Sequence, residues 1–190
     1  MTTDPFFLDA PQKLLACLQV ACEDSPTGAG PSQFTLMAGE QVLVDAGPAL
    51  DYCCMDSTGI GTGGLGVVRF AQSYPMGYGP FPQPDTGVEP CGATNYAMIL
   101  EASIWRCYPS GDSAGNPPPL ADINAFAVQE LADVATLYRA LCCFKTQQAQ
   151  AIGQEQTMGG IVSPVGPAGG CHGLAIQITT SVTGCTTCGG

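Results

Sequence analysis

Residues 96–107 read YAMILEASIWRC, from Tyr96 to Cys107. Tyr96, Met98, Leu100, Ala102 and Ile104 alternate onto one face, the period of a half-buried strand. Glu101 and Ser103 point the other way, with Trp105 an apolar exception there. A strand needs a sheet, and three other segments offer one. Leu65 to Tyr74 reads as a strand. Leu174, Ile176, Ile178 and Val182 alternate with Ala175, Gln177, Thr179 and Ser181, apart from Thr180, into a closing strand. Phe34–Met37 and Val42–Asp45 read as two short strands around Ala38-Gly39-Glu40.

Two helices accompany these strands. The first is expected to start at Asp9, with Asp9 as cap, Pro11 in the first turn and Gln12 closing a capping box. Leu14, Leu15, Leu18, Ala21 and Cys22 follow at helical spacing, and the helix stops before Ser25-Pro26. The second follows Asn116-Pro117-Pro118-Pro119. Its stripe is Leu120, Ile123, Ala127, Leu131, Val134, Tyr138 and Leu141, with Asp122, Gln129 and Asp133 off it. That stripe, Leu131 and Leu141 included, is expected to pack on the sheet. Arg139 and Lys145 near its end suit the helix dipole.

Segments 46–64, 75–95 and 146–173 are rich in glycine or proline and read as extended loops. The expectation is one α+β domain over residues 1–190: a mainly antiparallel sheet with two helices packed on it and long Pro/Gly-rich loops. Loop 75–95 holds Tyr78 and Phe81. Aromatic side chains on a restrained loop lose little entropy on docking, so both are candidate interface residues.

The chain has 16 acidic and 5 basic side chains and a single histidine, for a net charge of −11. General acid–base and nucleophilic sites draw on groups that are thinly scattered here. The expectation is a protein that is not an enzyme and needs no cofactor or metal. The charge argues against a grip on nucleic acid, which requires cations against phosphates. No apolar run approaches the roughly 18 residues of a membrane span, and the start MTTDPFFLDA lacks a basic region followed by an apolar run. Synthesis in a cytoplasm is expected, where thiols ordinarily stay reduced.

The 11 cysteines then read mostly as small buried hydrophobes. The single CxxC, Cys185 to Cys188, lacks the second knuckle of a zinc ribbon. Gly59 to Gly64 resembles a phosphate loop only superficially, because a strand rather than a helix follows it. His172 beside Cys171 reads as an exposed or satisfied loop residue. Arg69 and Arg106, each in a strand, are expected to pair with carboxylates.

Several short motifs together carry a resemblance. They are Leu14-Leu15-Ala16-Cys17-Leu18, Val67-Val68-Arg69, Tyr74-Pro75, Phe81-Pro82, Leu100-Glu101 and Arg106-Cys107, followed by Pro117-Pro118-Pro119, Arg139-Ala140-Leu141-Cys142-Cys143 and Gly169-Gly170-Cys171. In these the chain resembles small neck proteins from the head-to-tail region of tailed phages that infect actinobacteria. Its helix–strands–helix–strand order is similar to the tail-terminator fold of long-tailed phages. The resemblance implies a virion protein forming a homo-oligomeric ring, typically a hexamer. That ring would end the tail tube, meet the tail tube protein and a head-side connector or stopper, and let genomic DNA pass its lumen without specific binding. No membrane is involved. A head–tail stopper or adaptor fits the same resemblance. From a different class, the cysteines leave open a metal- or thiol-dependent enzyme.

Overall fold

A computed structural model of the protein describes residues 5–25, 30–38, 52–56, 59–60, 63–76, 81–84, 95–111, 114–152, 156–168 and 170–183. The fold is α+β. A five-stranded mixed sheet carries two helices on one face. Helix α1 spans Pro5–Glu23 and α2 spans Leu120–Ile152. The sheet strands are β1 (Gln33–Ala38), β4 (Leu65–Met76), β5 (Asn95–Cys107), β6 (Thr157–Ala168) and β7 (Cys171–Thr183), in the order β1-β4-β5-β7-β6. β1 runs parallel to β4; the other neighbours are antiparallel. A 3-10 turn η1 (Tyr52–Cys54) leads into a two-stranded ribbon of β2 (Met55–Asp56) and β3 (Gly59–Ile60).

β5 lies at the centre and pairs along its whole length with β7. The alternation read from Tyr96 to Ile104 is the helix-facing side. Met98, Leu100, Ala102 and Ile104 are fully buried there against Leu14 and Leu18 of α1 and Leu137, Ala140 and Phe144 of α2. A smaller cluster of Cys53, Leu65, Val67, Trp105 and Cys171 sits on the opposite face. Trp105 is therefore covered on the side away from the helices, and its Nε1–H donates to Ser103 Oγ at 3.0 Å.

Four expectations need correction. The described residues of segment 146–173 are mostly not loop: α2 continues to Ile152, and β6 and the start of β7 follow. Gln and Ala in residues 147–151 are good helix formers. Glycines and prolines in β6 are tolerated because it is an edge strand, where a missing ladder donor costs little. The register of β6 shifts twice, and Gly166 at the second irregularity takes φ 96°, a conformation that favours glycine. A Cβ at Gly159 would collide with Leu141, so this glycine lets α2 lie close over β6.

Secondly, α1 begins at Pro5, so Pro11 lies inside it and Asp9 is not its cap. Asp9 instead pairs with Lys13 one turn on, at 2.7 Å. Thirdly, Arg139 serves the end of α1 rather than α2. Its Nη1 donates to the Asp24 carbonyl at 2.9 Å, just past the last residue of α1, where a cation suits the dipole.

Finally, six of the eight described cysteines are bonded. The bridges are Cys17–Cys143, Cys53–Cys171 and Cys54–Cys107, leaving Cys22 and Cys142 free. The first joins α1 to α2. Partners lie 53 to 126 residues apart in sequence, a separation that composition cannot reveal. Val42–Asp45, Cys91 and the Cys185/Cys188 pair lie outside the described residues.

The core assignment predicts a contrast within α2. Leu137→Ala empties a fully buried site and should cost about 2–5 kcal/mol. Leu131→Ala, at an exposed site, should change stability by no more than about 0.5 kcal/mol. Denaturant unfolding of the two variants checks this.

Candidate interface on helix α2

The first half of α2 projects past the core, and polar contacts hold it to the sheet. Arg106, near the end of β5, makes two charge-assisted bonds to Asp133: Nε to Oδ2 at 2.8 Å and Nη2 to Oδ1 at 2.7 Å. Both side chains are buried, at 6% and 3% exposure. Gln129 Nε2 adds a third bond to Asp133 Oδ1 at 3.2 Å. One turn nearer the start of α2, His172 Nδ1 lies 2.6 Å from Glu130 Oε1, with an Nδ1–H donating to the carboxylate. Tyr108, Phe126 and His172 form an aromatic trio with centroids 5.2 to 5.9 Å apart. Beside it a cleft of about 590 Å³ is lined by Arg106, Tyr108, Asp122, Phe126 and Gln129.

Both strand arginines thus pair with carboxylates, as read from the sequence. Arg69 bonds Glu101 through Nε (2.7 Å) and Nη2 (2.9 Å) on the sheet face away from the helices. His172 is satisfied, but by a partner on α2 and from within β7 rather than from a loop.

These contacts invert the amphipathic pattern. Asp122, Glu130 and Asp133, the acidic residues of α2, lie on the side that faces the cleft and the sheet. The opposite side is bare and largely apolar, interrupted by exposed Asn124: Leu120 is 72% exposed, Val128 61%, Leu131 71% and Tyr138 42%. Leu120 and Tyr138 are 18 residues apart, about five turns, so they share one line along the helix with Leu131 between them. The stripe expected in the core therefore faces outward through most of its length. Only Leu141, at its far end, is buried, with Val134 packed at the core margin. Periodicity identified the apolar stripe, but the ion pair set which way it points. Asp133 read only as lying off the stripe, because no short-range signal marks a carboxylate as the partner of an arginine 27 residues earlier.

Of the loop residues singled out from the sequence, Tyr78 lies outside the described residues. Phe81 is half-buried in a turn after β4, and Tyr74 Oη donates to the neighbouring Pro82 carbonyl at 2.6 Å. Among the described residues, no group of His, Cys, Asp or Glu stands ready to hold a metal ion. No helix there is long and apolar enough to cross a membrane. No family model matches the chain, and no curated protein matches it in sequence.

The two free thiols differ sharply. Cys22 is buried in the core, and its pKa is pushed up to about 12, first by burial and next by the nearby Asp133 carboxylate. It stays a neutral thiol until very alkaline pH, whereas Cys142 is exposed. Alkylation of the unreduced protein near pH 8, mapped by peptide mass spectrometry, should label Cys142 and leave Cys22 unmodified.

The buried ion pair gives a second prediction. Asp133→Asn leaves Arg106 buried without its counter-charge and should cost about 3–5 kcal/mol. Asp122→Asn, at an exposed carboxylate, should stay within about 0.5 kcal/mol. Equal unfolding midpoints for the two variants would contradict the assignment.

Proposed function

We propose that this protein is a virion structural subunit, a tail terminator. In this reading it assembles into a homo-oligomeric ring, a hexamer, at the head-proximal end of the tail tube and joins tail to head. The observation that carries the reading is the bare apolar ridge on α2, on a helix tied to the sheet by a buried ion pair. Apolar side chains lined up on a fixed surface gain by leaving water, and a second copy of the chain offers a surface of matching chemistry. The terminator assignment adds the motif resemblance read from the sequence.

The charge supports the same reading. With a net charge of −11, a ring lumen repels phosphate, so duplex DNA passes without sticking. The ring's neighbours would be the tail tube protein on one side and a head-side connector or stopper on the other.

Leu131→Glu tests the ridge. Leu131 is exposed, so the variant should keep the wild-type far-UV spectrum and still unfold cooperatively as a monomer. Native mass spectrometry should show a closed ring for the wild-type protein and monomer for the variant. A wild-type protein that stays monomeric both free and in assembled particles overturns the ring reading. A variant ring as stable as wild type overturns the ridge as its contact surface.

A further inference from the structure

Four cysteines from three separate segments meet at one end of the sheet, on the face turned away from the helices. Cys107 ends β5 and Cys171 begins β7. The two are register partners in the antiparallel ladder, so their side chains leave from the same face. The η1 turn lays Cys53 and Cys54 over them. Cys53 bonds Cys171 with a Cα–Cα separation of 5.9 Å, and Cys54 bonds Cys107 at 4.6 Å. The two bridges touch: the Sγ atoms of Cys53 and Cys54 are 3.7 Å apart. Leu65, Val67 and Trp105 pack with Cys53 and Cys171 in the same cluster.

We propose that, when both bridges are reduced, these four thiolates form a tetrahedral zinc site. A zinc–thiolate bond of about 2.3 Å places the sulfurs of a tetrahedral site about 3.8 Å apart. Cys53 and Cys54 already stand at that spacing. The site requires the two bonded pairs to open to that spacing by side-chain rotation once their sulfurs are free, from Cα–Cα separations of 5.9 and 4.6 Å. The ladder holds Cys107 and Cys171 through backbone hydrogen bonds, so reduction leaves these two ligands in place. The apolar cluster shields one side of the site, and a dry surround strengthens metal–thiolate attraction.

The chemistry balances in two steps. Reducing both disulfides takes up four electrons and four protons from two equivalents of a dithiol, which leaves as its own disulfide. Zn²⁺ then displaces the four thiol protons and binds a tetrathiolate. Disulfide and metal exclude each other at the same four sulfurs, so the cluster has an oxidised, metal-free form and a reduced, zinc-bound form.

The test uses the full chain carrying Cys185→Ser and Cys188→Ser, which removes the CxxC pair as a competing ligand set. The reduced protein is titrated with Co²⁺ under anaerobic conditions. The expected result is one Co²⁺ per chain, with visible d–d bands of tetrahedral cobalt and thiolate-to-cobalt charge transfer, both abolished by Zn²⁺. Adding Cys107→Ser and Cys171→Ser should remove the bands; adding Cys17→Ser and Cys143→Ser should not. A second measurement needs no further variant: in the reduced protein, Zn²⁺ should protect Cys53, Cys54, Cys107 and Cys171 from alkylation while Cys17 and Cys143 are labelled. Absence of tetrahedral bands, their survival without Cys107 and Cys171, or equal labelling of all six thiols overturns the site.

Discussion

Burying Arg106 against Asp133 sets the orientation of α2, and which side of that helix faces solvent follows from that. A guanidinium and a carboxylate out of water are costly apart and tolerable only in good geometry. Here the geometry is bidentate, with both side chains almost fully enclosed. Once Asp133 points at the sheet, the rotation of the helix is fixed. Successive residues advance about 100°, so Leu131, two positions earlier, points nearly opposite. The Glu130–His172 contact and the edge-to-face Phe126–Tyr108 pair secure the same rotation one and two turns closer to the start of α2.

The consequence is a helix of two characters. From Asp133 onward α2 is an ordinary core helix, with Leu137, Ala140 and Phe144 buried against the sheet. Before Asp133 its inward side is polar and aromatic, and its outward side is apolar. A lone exposed leucine is unremarkable on any protein. Leu120, Val128, Leu131 and Tyr138 along one side of a pinned helix form a patch of the kind that marks a contact surface. The ring proposed for this protein gives that patch an occupant, and the acidity of the chain gives its lumen a character suited to passing DNA.

The opposite face of the sheet carries a different chemistry. Arg69 and Glu101 pair on it, Trp105 is buried there, and four cysteines converge at the end where β5 stops and β7 starts. The helix face depends on shape and one ion pair. This face depends on sulfur, whose bonding follows redox state. Cys17–Cys143 is separate from that cluster and joins the two helices directly.

The α+β class, the central strand Tyr96–Cys107 with its buried side, the start of α2 after the proline run, and the pairing of both strand arginines with carboxylates were all legible in the residues. Each of these rests on a local signal: a period of two, a helix-breaking tripeptide, or a scarce cation in an apolar strand. Tertiary structure alone decided which side of α2 faces inward, because an apolar stripe and a buried carboxylate competed and the ion pair across 27 residues prevailed. It also decided that a Gly/Pro-rich stretch forms β6, since an edge strand tolerates residues that a central strand does not. The convergence of Cys53, Cys54, Cys107 and Cys171 has the same origin. Cysteine spacing along a chain carries no pairing information until strand register brings β5 and β7 side by side.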